Sequence, residues 1–182
     1  ITSTATDGST TTITFNINGA ADAPVISSVY TTDTVAEDGA TNLVYTVTLD
    51  QPQAVVFAAD HGLVDEGVSS YLQAVTLQML LNMTQGGAAV NVLTRQHGFD
   101  LTVVDAGVAG QLPPEAADSN THVNLLSRKI GFGTRNMSRG PAMTGAQTLS
   151  AINAGFDVVR HLPGNVVAFG EAGIGNTSSA SL

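Results

Sequence analysis

Val166-Val167-Ala168-Phe169-Gly170-Glu171-Ala172-Gly173-Ile174-Gly175-Asn176-Thr177-Ser178 decides how the rest of this 182-residue chain is read. The run Val166-Val167-Ala168-Phe169 predicts a short buried strand. A glycine-rich turn follows, and Thr177, Ser178 and Ser179 read as the start of a helix. Strand, glycine turn and helix together present free backbone N–H groups, and the positive end of a helix dipole, to an anion such as phosphate. The carboxylate of Glu171 stands just before that turn, so the pattern suggests chemistry on a phosphorylated substrate. An ordinary strand-to-helix turn would use the same glycines, and the spacing is not a G-x-G-x-x-G or P-loop fingerprint.

The segments before it supply the matching elements. Thr144 predicts the cap of a helix that runs to about His161. Leu101-Thr102-Val103-Val104-Asp105 and Ala54-Val55-Val56-Phe57-Ala58-Ala59 are continuous apolar runs, the form of strands buried on both faces of a parallel sheet. Between them the sequence predicts helices over about 73–82, with Val75, Met79 and Leu72 on one face, and over 88–96, separated by Gly86-Gly87. A polar connection through Pro113-Pro114 leads to a loop-like basic stretch, 128–139. The fold class is therefore α/β: a parallel sheet with flanking helices, Rossmann-like but incomplete. Ligands of such sheets bind beyond the carboxyl ends of the strands, where Asp60, Asp105 and Glu171 all lie.

Residues 1–52 follow a different grammar. Thr11–Asn18 and Leu43–Leu49 alternate apolar and polar side chains, the period of half-buried strands. Val25–Tyr30 predicts another, and Ala21-Asp22-Ala23-Pro24 and Glu37-Asp38-Gly39 read as turns. The expected organisation is a β-rich segment, 1–52, followed by an α/β segment, 53–182. Charge divides in a similar way. All six Lys and Arg lie at or after Arg95, where acids and bases balance, so the net charge of −9 belongs to the preceding part. No basic stripe marks a nucleic-acid binder. No apolar run is long enough to cross a bilayer, and no signal peptide is visible at the N-terminus. The absence of cysteine excludes disulfides and thiolate zinc sites; it suits a cytosolic enzyme and many secreted bacterial repeats alike. The four histidines show no ligand spacing, and no metal is expected. Met79 and Met83 are most simply core residues.

Six strings, in order, resemble one family closely: FAADHGLVDEGVSSY, QAVTLQML, GGAAVNVLTRQ, VVDAGVAG, RKIGFGTRNMSRGPAMT and GEAGIGNTS. They resemble the first part of the nicotinate-nucleotide–dimethylbenzimidazole phosphoribosyltransferases, from about Gln53 to Leu182. The resemblance implies transfer of phosphoribose from nicotinate mononucleotide to 5,6-dimethylbenzimidazole, with inversion at the anomeric carbon, to give α-ribazole phosphate for the lower ligand of cobalamin. It implies no cofactor, small-molecule partners, a homodimer and a cytoplasmic setting.

Carried residue by residue, the resemblance makes Glu171 the active-site carboxylate of the glycine turn. Gly173, Gly175, Asn176 and Thr177 become the phosphate loop, and Ser70, Tyr71 and Gln78 the benzimidazole contacts. Asp60 and His61 match a supporting block at the sheet rim, with turn or core hydrogen bonding as the alternative. Arg128, Lys129 and Arg135 read as a solvated basic loop or, from charge alone, as phosphate binders. Leu72 and Ala172 replace the family's usual Pro and Met. The family continues past the glycine turn with a further lysine and a second glutamate, regarded as the general base, so this chain by itself is expected to turn over little or not at all.

Residues 1–52 instead resemble the junction of two cadherin-like or Calx-β-like repeats of large secreted bacterial proteins, through TATDGSTTTITFNING, ADAPVI and VAEDGATNLVYTVTLD. That resemblance implies immunoglobulin-like β-structure, and it offers a structural repeat protein or a non-functional fusion as alternatives to the transferase. The acids of this segment read as solvated turn residues, since no complete calcium loop is present.

Overall fold

The computed structural model describes residues 2–4, 10–12, 49–113, 116 and 123–181. The chain divides into two compact units, Ile1–Asp50 and Gln51–Leu182. In the first, β1 (Thr2–Thr4) pairs antiparallel with β2 (Thr10–Thr12), with Ser3 opposite Thr11. Of the strands expected over Thr11–Asn18, Val25–Tyr30 and Leu43–Leu49, residues 13–18, 25–30 and 43–48 lie outside the described residues, as do the acids Asp22, Glu37 and Asp38 and most of the repeat resemblance.

The second unit is a four-stranded parallel sheet with helices on both faces. β3 (Gln53–Ala59) is followed by a 3₁₀ turn (Gly62–Glu66), α1 (Ala74–Thr84), α2 (Ala89–His97) and β4 (Asp100–Gly107). Then come β5 (Val123–Ser127), α3 (Gly145–Arg160), β6 (Val167–Ala172) and α4 (Asn176–Ala180). The strands lie in the order β5-β4-β3-β6, every pair parallel. The chain runs outward from β3 to β5, then crosses back to place β6 on the other side of β3. A topological switch point therefore falls between β3 and β6, the position where open α/β sheets bind ligands.

Side-chain alternation explains the two layers. Ala54, Val56, Ala58, Leu101 and Val103 face Leu80 and Met83 of α1, while Val55 and Val104 face Val158 of α3. Right-handed crossovers in opposite directions require the connecting helices to lie on opposite faces, as these do. Two local devices hold the helices. The buried Asn91 accepts the Ala88 N–H (3.0 Å) and donates to the Met83 carbonyl (2.8 Å), locking α1 to α2. Thr144 caps α3 by accepting the Gln147 N–H, and Gln147 Oε1 in return accepts the Thr144 N–H, the reciprocal capping box.

Three expectations change. Sequence periodicity yields three strands in this part, but Val123–Ser127 forms a fourth; it is short and its alternation is interrupted by polar Asn124. The strand before the glycine turn is not buried: Ala168 to Glu171 are exposed, because β6 is the edge of the described sheet. Leu72 lies outside α1 and is 78% exposed, so it joins no apolar helix face.

Candidate active site

The switch point gathers the ends of β3 and β6. Beyond β6 the chain turns through Gly173-Ile174-Gly175 into α4. Two of these glycines are required by position. A Cβ on Gly173 would stand 2.1 Å from the Ala59 carbonyl oxygen and 3.2 Å from the His61 ring, so only hydrogen fits. Gly175 adopts a φ of +84°, in the left-handed region, and a Cβ there would meet Val64 at 2.9 Å. The Ile174 N–H donates to Oγ1 of Thr76, a buried residue of α1 (3.1 Å). That bond ties the turn to the helix behind it.

Glu171 and Asn176 meet across the turn. The Asn176 side-chain amide donates to Glu171 Oε1, and Asn176 Oδ1 accepts the Thr177 N–H (2.9 Å). Gly173, Gly175, Asn176 and Thr177 are thus brought beside Glu171 in one loop. Glu171 pairs in register with Phe57 of β3. Among the described residues, no group of three or more His, Cys, Asp or Glu is placed to hold a metal ion.

Asp60 and His61 close the β3 side of the crevice. His61 Nδ1 lies 3.1 Å from Ser179 Oγ of α4, and its ring also borders Gly173. Asp60 is 1% exposed; Oδ2 accepts the Ala109 N–H (2.7 Å), whereas Oδ1 is buried without a partner. The Thr134 N–H donates to the Asp60 carbonyl (3.0 Å), and a Cβ on Gly62 would stand 2.6 Å from the Thr134 carbonyl oxygen. The loop after β5 is therefore packed directly on the end of β3.

Two cavities flank this rim. One, of about 460 Å³, lies on the α3 side and is lined by Phe57, Ala59, Asp60 and His61, by the loop through Thr134 and Arg135, and by Gln147, Ala151 and Ala154. The other, of about 510 Å³, lies on the α1 side and is lined by Thr76, Met79, Met83, Val90, Glu171 and the glycine turn. Met79 is 42% exposed and lines this second cavity, so it is not the simple core residue its spacing suggested. Ser70, Tyr71 and Gln78 line neither cavity; Tyr71 is 67% exposed. The Thr76 contact had no sequence signal, because only the fold brings a helix hydroxyl to a turn 98 residues later.

The basic loop is not uniformly solvated. Lys129 Nζ pairs with Asp105 Oδ2 at 3.1 Å, with side-chain exposures of 20% and 1%. It also donates to the carbonyls of Val108 and Gly110, so its charge is already used. Arg128 pairs with Asp157 (3.0 Å). Arg135 lines the α3-side cavity and has no side-chain partner among the described residues.

Comparison with known proteins agrees with this fold. A phosphoribosyltransferase family model matches residues 34–182. A nicotinate-nucleotide–dimethylbenzimidazole phosphoribosyltransferase from Variovorax paradoxus (strain S110) is 50% identical over 137 residues, 75% of this chain and 37% of its own length. One from Ralstonia nicotianae is 52% identical over 136 residues, 73% of this chain and 37% of its own. The crystal structure of such an enzyme from Thermus thermophilus superimposes with a TM-score of 0.66 at 43% identity, covering 73% of this chain and 39% of that one. The chain thus spans little more than a third of the length of the relatives it matches.

Proposed function

The chain belongs to the phosphoribosyltransferase family of the nicotinate-nucleotide–dimethylbenzimidazole enzymes, and on that premise we propose that it carries the nucleotide side of their active site. The reaction is transfer of phosphoribose from nicotinate mononucleotide to 5,6-dimethylbenzimidazole. A ring nitrogen of the benzimidazole bonds to the anomeric carbon while the bond to the nicotinate nitrogen breaks. The electron pair of that bond returns to the pyridinium ring, which leaves as nicotinate. The attacking heterocycle gives up its N–H proton, and the β-linkage becomes α.

The observation that carries this reading is the closed loop Glu171–Asn176–Thr177 at the switch point. The glycine turn takes the phosphate, and the Glu171 carboxylate faces the positive charge that develops on the ribose as the pyridinium leaves. Asp60 and His61 support the turn from β3. The Ser70 hydroxyl, the Tyr71 ring and the Gln78 amide contact the benzimidazole in this reading. A homodimer in the cytoplasm belongs to the same proposal. Among the described residues, no helix is long and apolar enough to cross a membrane.

Calorimetric titration of the chain with nicotinate mononucleotide tests the reading. Binding is expected, and Gly175→Asp should abolish it by setting a carboxylate against the phosphate. Binding that is absent, or indifferent to that change, rejects the assignment.

A further inference from the structure

We propose that His61 is a positioning residue for the glycine turn: through Ser179 and Gly173 it fixes how the turn presents itself to the α1-side cavity, without belonging to the wall of that cavity. The inference deepens the transferase reading and rests on it for one probe, nicotinate mononucleotide.

The imidazole stands on a fixed backbone. His61 follows Asp60, which is 1% exposed, just beyond the end of β3. The Asp60 N–H donates to the Gly107 carbonyl (3.0 Å), and the Gly62 N–H donates to Thr134 Oγ1 (3.3 Å). The His61 carbonyl accepts the Val64 N–H (3.1 Å), which opens the 3₁₀ turn. Both neighbours of His61 are thus tied to other loops, and its side chain projects from a rigid support.

The side chain meets the turn at three points. It fills the space beside Gly173, where a Cβ would stand 3.2 Å from both Cδ2 and Nε2 of the ring. Its own Cβ lies 3.8 Å from the Cβ position of Gly175. Its Nδ1 lies 3.1 Å from Ser179 Oγ of α4. Thr76 of α1 accepts the Ile174 N–H between the two glycines. The turn is therefore held by two anchors on different elements, a hydroxyl on α1 and an imidazole after β3.

The cavities assign the role. Glu171, Gly173 and Asn176 line the α1-side cavity, whereas His61 lines the α3-side one. His61 acts on the wall that holds Glu171 only through the turn. Ser179 Oγ has no other side-chain partner among the described residues, so its O–H is free to donate to Nδ1. That bond places the proton of the neutral ring on Nε2.

Calorimetric titration of the full chain with nicotinate mononucleotide is the first readout. His61→Ala and Ser179→Ala should each weaken binding by about tenfold, the effect of a displaced turn. The double variant should lose no more than His61→Ala alone, because both changes cut the same link. His61→Asn keeps an acceptor near the Nδ1 position and should recover most of the loss. His61→Gln sets its amide near the Nε2 position and should not. A side chain that merely fills space would give the reverse order, since Gln is the larger. Ser179 is exposed, so Ser179→Ala tests the link in a folded chain whatever His61→Ala does to stability.

Nitrogen-15 spectra of the ligand-free chain are the second readout. The His61 ring should carry its proton on Nε2, and Ser179→Ala should move the Gly173 and Gly175 amide signals. A ring protonated on Nδ1, turn signals unmoved by Ser179→Ala, or equal rescue by Asn and Gln would overturn the proposal. If the mononucleotide binds and Gly175→Asp abolishes it, while His61→Ala and Ser179→Ala leave it unchanged, the transferase reading stands and the positioning role falls. If the mononucleotide does not bind, yet the spectra show the Nε2 proton and the shifted turn signals, His61 still sets the turn and the transferase reading falls.

Discussion

The side-chain amide of Asn176 donates to Oε1 of Glu171, spanning the glycine turn between β6 and α4. The same carboxamide accepts the Thr177 N–H, so one neutral side chain both holds the acid and takes a backbone N–H of the first helical turn. Neutrality matters because both neighbours of the amide have a fixed polarity. Asn176→Asp keeps the acceptor for Thr177 but sets a second carboxylate against Glu171. The added negative charge beside the phosphate turn should weaken nicotinate mononucleotide binding by about tenfold or more. Calorimetry reads the affinity, and the thermal midpoint should change little at this solvent-facing turn. Affinity equal to that of the parent chain would separate Asn176 from the phosphate loop.

Thr76 fixes the turn from behind. It is 3% exposed, and its hydroxyl accepts the Ile174 N–H. Thr76→Val is nearly isosteric and leaves that N–H without its acceptor, a loss of about 1–3 kcal/mol when the donor stays dry. Urea unfolding should show the loss, and Thr76→Ser should restore most of it. A valine variant as stable as the parent would mean that water replaces the hydroxyl.

The sequence made the layers of this fold readable and left its connections obscure. The apolar runs at 54–59 and 101–105 are strands because only a doubly covered strand tolerates so continuous a pattern. Thr144 and Gln147 announce the start of α3 by their spacing, and the capping box forms. Val123–Ser127 was not legible, being five residues with a polar interruption. At the site, Glu171 and its loop neighbours are local in sequence, so their meeting could be anticipated. Thr76, Arg135 and Gln147 come to the rim from distant elements, and no periodicity encodes such a meeting.

Lys129 illustrates how charge alone misleads. Its ammonium sits on Asp105, whose Oδ1 also accepts the N–H groups of Gly107 and Val108 (3.2 and 3.0 Å). The pair pins the loop after β5 to the end of β4. Lys129→Met would leave a carboxylate buried without its counter-ion, at a cost of about 3–5 kcal/mol. Adding Asp105→Asn removes the orphaned charge while retaining an acceptor for the two N–H groups. The double variant should therefore be more stable than Lys129→Met alone, and a denaturant-based cycle measures the coupling. Additive losses would show that the two side chains act independently.

Glu66 supplies a pH-dependent fastening on the outer side of the same loop. Its Oε1 accepts the Asn136 side-chain N–H (2.6 Å) and the Arg139 Nε–H (3.0 Å), and Arg139 adds a second contact at 2.9 Å. The Asn136 hydrogen bond foremost, then the Arg139 hydrogen bond and charge, hold its carboxyl below the ordinary value of 4.5. A carboxyl depressed in the folded state binds its proton more readily when unfolded. Its contribution is therefore present above pH 4.5 and lost as pH falls through the lower, folded value. Glu66→Gln keeps the shape and cannot ionise. The parent chain should melt above this variant at neutral pH, and the gap should close below pH 4.5. The site is exposed, so the gap should be small and should shrink with added salt. A gap that stays constant from neutral to acid pH would show that packing, not charge, fastens the 3₁₀ turn to the loop.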